Sequence, residues 1–136
     1  MGKMEQKSRE QNKNQNSSSK PYYVYILRCS DGSLYTGITP DIRKRMLAHC
    51  GKIKGGAKYT KSHPIVKIEA AWVTDGRNGA LRMECALKKL TRRDKLDLIS
   101  EPFLLCEKYV LHLPEHTFEV CGREFLDDIM NNALYK

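Results

Sequence analysis

Residues 22–39, with the sequence YYVYILRCSDGSLYTGIT, decide the fold because they have the pattern of two strands joined by a tight turn. Residues 22–27 are β-branched, aromatic or apolar on both strand faces, which is typical of an interior strand. Residues 30–32 (SDG) supply turn chemistry, and residues 33–38 supply the second strand. The stretch predicts an antiparallel β-hairpin.

The length of the turn decides which side chains share a face of this hairpin. With Gly32 in the left-handed conformation at the end of a three-residue loop, Tyr25 pairs with Gly37 and Tyr35 pairs with Leu27. A two-residue turn would instead put the two tyrosines on opposite faces, because successive side chains of a strand alternate. We choose the three-residue loop, which predicts Tyr25 and Tyr35 on one face.

A helix is predicted directly after the hairpin. Thr39 is a suitable N-cap, Pro40 suits the first helical position, and the helix should end near Cys50. Two stripes follow its axis at four-residue spacing, one apolar and one polar: Ile42, Met46 and Cys50, and Asp41, Arg45 and His49. The polar stripe borders the core, so we expect Arg45 and His49 to be neighbours at the lip of a cleft.

The remaining elements complete a small α/β module. Residues 51–61 (GKIKGGAKYTK) predict a mobile loop, and residues 65–73 predict a third strand. A helix should extend from about Gly79 to Leu90 with Asn78 as its cap, and Thr91 should cap a further short helix. The side chains expected to face inward from these helices are Ala80, Met83, Leu87, Leu90, Leu96 and Ile99. The β-β-α-β-α-α order predicts a compact module with a small, mostly antiparallel three-stranded sheet flanked by helices, plus a C-terminal extension.

Length and composition suggest three segments. Residues 1–20 contain only methionine as an apolar side chain and predict a disordered basic tail, residues 21–100 form the module, and residues 101–136 are an extension of unknown role. Within the extension, residues 109–113 and 117–121 alternate like strands and an acidic helix follows. At 136 residues, the chain fits one ordinary domain.

Charge and cysteine content narrow the classes of function. The formal net charge is +8, and residues 21–100 carry 16 Lys and Arg against 7 Asp and Glu, which is typical of a polyanion binder although a solvated surface is the simpler alternative. The chain has neither a long uncharged apolar run nor a signal-peptide core, so we expect a cytoplasmic protein without membrane spans. Five widely spaced cysteines indicate free thiols rather than a disulfide framework.

The motifs of residues 22–99 resemble those of the GIY-YIG endonucleases, especially the small stand-alone bacterial members. Val24-Tyr25-Ile26 and Tyr35-Thr36-Gly37 are similar to the two tripeptides that name the family. Arg45 four residues before His49, the segment 55–60 (GGAKYT) and Glu84 on a later helix follow in the expected order. The resemblance implies a metal-dependent endonuclease that hydrolyses phosphodiester bonds in DNA, in repair or processing, with RNA not excluded.

The resemblance also implies a role for each site residue. Tyr35 would be the general base that deprotonates the attacking water, with Tyr25 and His49 hydrogen-bonded nearby. An unperturbed phenol has a pKa of about 10, so such a base needs positive charge beside it, from a guanidinium and a metal ion. Arg45 would stabilise the transition state as a planar fork of donors, and Glu84 would be the protein ligand of one Mg²⁺ or Mn²⁺. Basic and aromatic residues near these positions would bind nucleic acid: Lys44, Lys54, Lys58, Tyr59, Lys61 and Lys88.

Several departures and alternatives stay open. Val24 and Thr36 replace the usual tripeptide residues without removing a reactive side chain, and Leu96 stands near the place where many relatives have Asn. Glu84 could instead be a surface partner of Lys88, and the module could bind nucleic acid without cleaving it. A zinc site has no paired C-x-x-C in its favour. Its candidate ligands are Cys29, His49, Cys50, His112 and His116.

Overall fold

The computed structural model describes residues 20–109 and 116–135 of the chain. Along these residues the order of elements is β1 (Tyr22–Cys29), β2 (Leu34–Thr39), α1 (Ile42–His49), α2 (Lys58–Ser62), β3 (Ile65–Thr74), α3 (Arg77–Lys88), α4 (Arg92–Ser100), a short π-helical turn (Leu105–Tyr109), β4 (Phe118–Val120) and α5 (Arg123–Tyr135). Within this part of the chain, no helix is both long and apolar enough to cross a membrane.

The hairpin has the predicted register. Tyr25 pairs with Gly37 and Leu27 pairs with Tyr35, so the two tyrosines lie on one face of the sheet. Gly32 has a φ of 88°, a left-handed conformation that glycine adopts without a Cβ clash. The backbone N–H of Gly32 donates to the carbonyl of Cys29 at 2.9 Å and closes the turn. The prediction of a three-residue loop is confirmed.

The sheet has four strands rather than the three predicted. Its order is β2-β1-β3-β4, and each neighbouring pair is antiparallel. The fourth strand comes from the C-terminal extension, where Trp72 pairs with Val120. This strand lies within the predicted stretch 117–121, whereas in the stretch 109–113 Tyr109 ends the π-helical turn and the other residues lie outside the described part of the chain. The predicted tail, residues 1–20, also lies outside it except for Lys20.

Helices cover both faces of the sheet and create two apolar clusters. Helices α1 and α5 pack on the face that also carries Tyr25. The fully buried residues of this first cluster include Leu27, Met46, Ile68, Leu126 and Ile129. Helices α3 and α4 pack on the other face, where the buried members include Ile26, Trp72, Met83, Leu87 and Leu98. Helix α5 of the extension therefore contributes to the same core as the face of the hairpin that carries Tyr25.

An arginine fastens α5 to the irregular part of β3. The pairing of β1 with β3 shifts register between Ile26 and Leu27, which pair with Ala70 and Ile68, so Glu69 has no partner in the β1 register. Arg123 donates to the carbonyls of Ile68 at 2.8 Å and Glu69 at 2.6 Å. These two contacts tie the first residue of α5 to the backbone of β3 beside the irregularity in the strand pairing.

The N-caps of helices α1 and α3 are not the residues that we predicted. Asp41, not Thr39, caps α1, and it accepts a hydrogen bond from the N–H of Lys44 at 3.1 Å. Thr39 instead accepts from the N–H of Asp41 and so shapes the turn before the helix. The cap of α3 is Gly76 rather than Asn78, and the predicted loop 51–61 ends in helix α2.

The cap of α4 agrees with the prediction, but its inward face differs. The hydroxyl of Thr91 accepts from the N–H of Asp94 at 3.1 Å, as expected of an N-cap threonine. Leu98 is the buried residue of this helix, whereas Leu96 and Ile99 are half-buried. The most buried position of α4 is therefore displaced around the helix axis from the two positions that we predicted.

Candidate active site

The hairpin places Tyr25 and Tyr35 around one hollow. Tyr25 is 1% exposed, and its ring lies across Gly37, the residue with which it pairs. A Cβ atom at position 37 would lie 2.6 Å from the Tyr25 hydroxyl oxygen, so only glycine leaves room for the phenol. Gly37 is thus a site-forming residue whose role the sequence reasoning missed, although its pairing with Tyr25 was the available signal.

Helix α1 brings a guanidinium and an imidazole to these phenols. The Nε2 atom of His49 lies 2.9 Å from the Tyr25 hydroxyl, and Arg45 Nε donates to the same hydroxyl at 3.4 Å. The rings of Tyr25 and Tyr35 both meet the His49 ring edge to face, with centroids 5.8 Å and 5.5 Å away. The four side chains therefore converge, because one helical turn separates Arg45 from His49 and the strand register aligns the tyrosines.

The glycine-rich segment after α1 supplies contacts that sequence reasoning missed. Thr60 is 2% exposed, and its hydroxyl lies 2.9 Å from His49 Nδ1 and donates to the carbonyl of Ala57 at 3.0 Å. The carbonyl of Gly55 accepts from Arg45 Nη1 at 2.6 Å. This segment is therefore bonded to both polar residues of α1. A backbone carbonyl leaves no trace in a sequence pattern, and Thr60 lay in a stretch predicted to be a loop.

Burial keeps Tyr25 and His49 uncharged at neutral pH. Burial raises the pKa of Tyr25 to about 12, and the hydrogen bond and charge of Arg45 oppose this rise only in part. Burial and, to a smaller extent, the positive charge of Arg45 together lower the pKa of His49 to about 4. Removing a charged form from water costs free energy, so a phenol and an imidazole in this hollow keep their neutral forms.

Glu84 approaches the same hollow from α3. It is half-buried, and its negative charge contributes to raising the pKa of Tyr25, which places the carboxylate within electrostatic reach of that phenol. Its Oε2 atom also lies 3.3 Å from Nζ of Lys88, the surface pair that was the simpler interpretation. Glu84 therefore lies within electrostatic reach of Tyr25 while it forms an ion pair with Lys88.

The donor set fits a divalent ion that keeps most of its water. Among residues 20–109 and 116–135, no three His, Cys, Asp or Glu side chains gather closely enough to hold a metal ion. A single carboxylate such as that of Glu84 suits Mg²⁺ or Mn²⁺, which take oxygen ligands and share their coordination sphere with water and substrate. The zinc candidates do not form such a group in the described part of the chain, and His112 lies outside it.

The predicted nucleic-acid-binding residues occupy different places around the site. An open cavity of about 830 Å³ beside His49 and Thr60 has Lys54 and Lys61 in its wall. A smaller one of about 320 Å³ beside Arg45 is lined by Lys44 and again by Lys54. Two predicted lysines are exposed and line neither cavity: Lys58 and Lys88.

Tyr59 forms part of the wall beside Tyr35. Its ring stacks on Tyr35 with centroids 5.8 Å apart and on His63 with centroids 3.9 Å apart. The ring is 37% exposed, so its rim faces solvent while its faces contact protein. Tyr59 thus screens Tyr35 from one side of the cleft.

Comparisons with known proteins find relatives that match more than half of this chain. Residues 21–97 match the family described as the GIY-YIG catalytic domain. The UPF0213 protein FN1575 of Fusobacterium nucleatum is 47% identical over 81 residues, covering 60% of this chain and 79% of that protein. The UPF0213 protein YsiG of Lactococcus lactis is 45% identical over 94 residues, covering 68% of this chain and 86% of that protein.

A solved structure is also similar in sequence. It is the solution NMR structure of the UPF0213 protein BH0048 from Bacillus halodurans, which is 44% identical, covers 59% of this chain and 83% of that chain, and has a TM-score of 0.39. None of these relatives' names states a reaction. The match over residues 21–97 spans more than half of the sequence, and the chain therefore belongs to the GIY-YIG catalytic domain family, which is a family of nucleases.

Proposed function

We propose that this protein is an endonuclease that hydrolyses phosphodiester bonds in DNA with a divalent metal ion, and that it acts in DNA repair or processing. The observation that carries the proposal is the convergence of Tyr25, Tyr35, Arg45 and His49, with Glu84 within electrostatic reach of Tyr25. Phosphodiester hydrolysis needs an activated water, a neutralised phosphorane and a stabilised leaving oxygen. Tyr35 would activate the water, and Arg45 would neutralise the phosphorane. A metal ion held by Glu84 would stabilise the leaving oxygen.

Tyr35 is the proposed general base. It is half-buried at the edge of the hollow, and it is one of the phenols that raise the pKa of Arg45 against the opposing effect of burial, so the two groups interact. This position beside a guanidinium is the one that a phenol acting as general base requires. Tyr25 does not suit this role, because burial raises its pKa to about 12.

Arg45 is the proposed transition-state stabiliser. Its Nη1 atom donates to the carbonyl of Gly55 and its Nε atom donates to the hydroxyl of Tyr25. These hydrogen bonds fix the orientation of the guanidinium before substrate binds. A planar guanidinium can then donate to phosphate oxygens without losing much side-chain freedom. Glu84 would hold Mg²⁺ or Mn²⁺, and the bound ion would supply positive charge to the phosphate and leaving oxygen.

Cleavage assays with purified variants test this proposal. Branched, single-stranded and duplex DNA, with RNA as a further substrate, are incubated with Mg²⁺ or Mn²⁺. Tyr35→Phe should lower the cleavage rate by about 100-fold or more, the usual contribution of a general base. Glu84→Ala should abolish metal-dependent cleavage. Unchanged cleavage in either variant, at unchanged melting temperature, would reject the assignment.

Matched controls remove the same groups elsewhere. Tyr22→Phe deletes a hydroxyl of the same hairpin beside the opposite apolar cluster, and Glu124→Ala deletes an exposed carboxylate of α5. Both should keep the activity of the unmodified chain. A loss of cleavage in these controls would show that the assay reports general damage rather than chemistry at the site.

One observation favours a second candidate, a nucleic-acid-binding module without turnover. The ion pair between Glu84 and Lys88 neutralises the carboxylate that a metal would need. In that case DNA would bind in a salt-dependent manner, through the basic side chains, and none of the substrates would be cleaved. Lys88→Ala distinguishes the two functions, since it should speed cleavage at low metal concentration in a nuclease and only weaken binding in a non-catalytic module.

A further inference from the structure

We propose that Thr60 is a positioning residue that fixes the proton of His49 on Nδ1, so that Tyr25 donates to His49 and offers its oxygen to Arg45. The inference rests on the proposed function, because it assigns how the parts of that site are held. It concerns a residue that touches neither the reacting phosphate nor the attacking water.

The direction of the hydrogen bonds follows from the one group that can only accept. The backbone carbonyl of Ala57 lies 3.0 Å from the Thr60 hydroxyl, which has a single proton and donates it there. Toward His49, 2.9 Å away, the Thr60 oxygen is therefore left as an acceptor. The Nδ1 atom must then carry the proton that this contact needs.

The remaining contacts follow from the tautomer. A neutral imidazole with its proton on Nδ1 has a lone pair on Nε2, so the Tyr25 hydroxyl donates to Nε2 over the 2.9 Å contact. The Tyr25 oxygen is then free to accept from Arg45 Nε at 3.4 Å. In the other tautomer, the lone pair of Nδ1 would face the Thr60 oxygen and the phenol would receive two donors with no acceptor for its own proton.

Burial makes any other arrangement of these hydrogen bonds costly in free energy. Tyr25, His49 and Thr60 are 1%, 5% and 2% exposed, so water has little access to any of the three side chains. An unpaired donor or acceptor in such a place costs about 1–3 kcal/mol. The chain of donors begins at the guanidinium and ends at Ala57, and the Gly55 carbonyl holds the other arm of Arg45. Segment 55–60 therefore holds both ends of the network.

The roles of the two tyrosines separate as a result. Tyr25 is committed as a donor and supports the guanidinium, so it is also a positioning residue. Tyr35 stands outside the chain that runs from Tyr25 through His49 to Ala57, and it interacts with the Arg45 guanidinium instead. Segment 55–60, which lies between the cavity-lining residues Lys54 and Lys61, would thus connect substrate contacts to the alignment of Arg45.

The tautomer of His49 can be measured directly. Nitrogen-15 NMR of the metal-free full chain distinguishes a protonated Nδ1 from a protonated Nε2 in a neutral ring. We expect a single Nδ1–H tautomer in the unmodified chain and in Thr60→Ser, which keeps the hydroxyl. Thr60→Val keeps the shape but removes the acceptor, and it should give a mixture of tautomers. Thr36→Val is the matched control, because it makes the same change at a buried threonine outside the network and should leave the spectrum unchanged.

Kinetics provide the second readout. Thr60→Val should lower kcat by roughly 10-fold to 100-fold with little change in KM, as when other groups that orient a functional histidine are removed, and Thr60→Ser should restore most of it. A protonated Nε2 in the unmodified chain, or a pure Nδ1–H tautomer in Thr60→Val, would overturn the inference. The NMR measurement needs no cleavage, so an inactive protein with the expected tautomers would reject the proposed function and leave the role of Thr60 supported.

Discussion

Replacing Gly37 with alanine tests whether the phenol of Tyr25 sets the packing of the hairpin. The new Cβ would lie 2.6 Å from the Tyr25 hydroxyl oxygen and 2.8 Å from its Cζ, where ordinary contacts begin at 3.4 Å. The ring cannot retreat easily, because it is 1% exposed and its hydroxyl is hydrogen-bonded to His49. The methyl group therefore meets a side chain that has no free space behind it.

The expected cost follows from two opposing effects. Overpacking of this kind costs about 1–3 kcal/mol, and losing the buried hydrogen bond between Tyr25 and His49 adds about 1 kcal/mol. Alanine in place of glycine in a strand regains about 0.5–1 kcal/mol, since the φ of Gly37 is outside the left-handed region. The free energy of unfolding should thus fall by about 1–3 kcal/mol.

A double-mutant cycle isolates the contact. Tyr25→Leu keeps an apolar side chain in the core but ends short of Gly37, so Gly37→Ala in that background should be neutral or slightly stabilising. Urea denaturation of the four proteins gives the coupling free energy, which we expect to be about 2 kcal/mol or more in magnitude. An equal cost of Gly37→Ala in both backgrounds would refute the reasoning, as would the absence of any cost in the unmodified chain.

Three further predictions concern stability. In the unfolded chain a histidine gains a proton below a pH of about 6.5, whereas burial lowers the pKa of His49 in the folded chain to about 4. The unfolded state therefore binds the proton first, and the free energy of unfolding should fall by up to about 3 kcal/mol as the pH falls from 7 to 4. Denaturation across this range should show a weaker pH dependence for His49→Gln, and an identical dependence would contradict the assignment. Among the described residues, the buried hydroxyl of Thr36 has no hydrogen-bond partner, so Thr36→Val should raise the free energy of unfolding by about 1 kcal/mol. Urea denaturation measures this change, and a decrease would contradict the prediction. Ile129 is 1% exposed in the shared core, and Ile129→Ala should cost about 2–5 kcal/mol, whereas a cost below about 1 kcal/mol would mean that α5 is only loosely attached.

Features that depend on neighbouring residues could be predicted from the sequence. Gly32 and the alternation of the strands fixed the register of Tyr25 with Gly37, because the two-residue period leaves only one register for each loop length. The four-residue spacing of Arg45 and His49 placed both on one side of α1, and Thr91 capped α4 as expected. Each of these outcomes is decided within a few residues of the chain.

Contacts between distant segments needed the tertiary structure. Whether Thr60 meets His49, or Gly55 meets Arg45, depends on how the segment after α1 folds back, and no periodicity records that path. Strand β4 and helix α5 likewise join the sheet because they bury apolar side chains that the module leaves uncovered. The sequence by itself determined the hairpin, its paired tyrosines and the polar side of α1. The hydrogen-bond network around His49, and the place of the C-terminal helix in the core, were decided by long-range packing, since they require surfaces and backbone carbonyls that only the folded chain brings together.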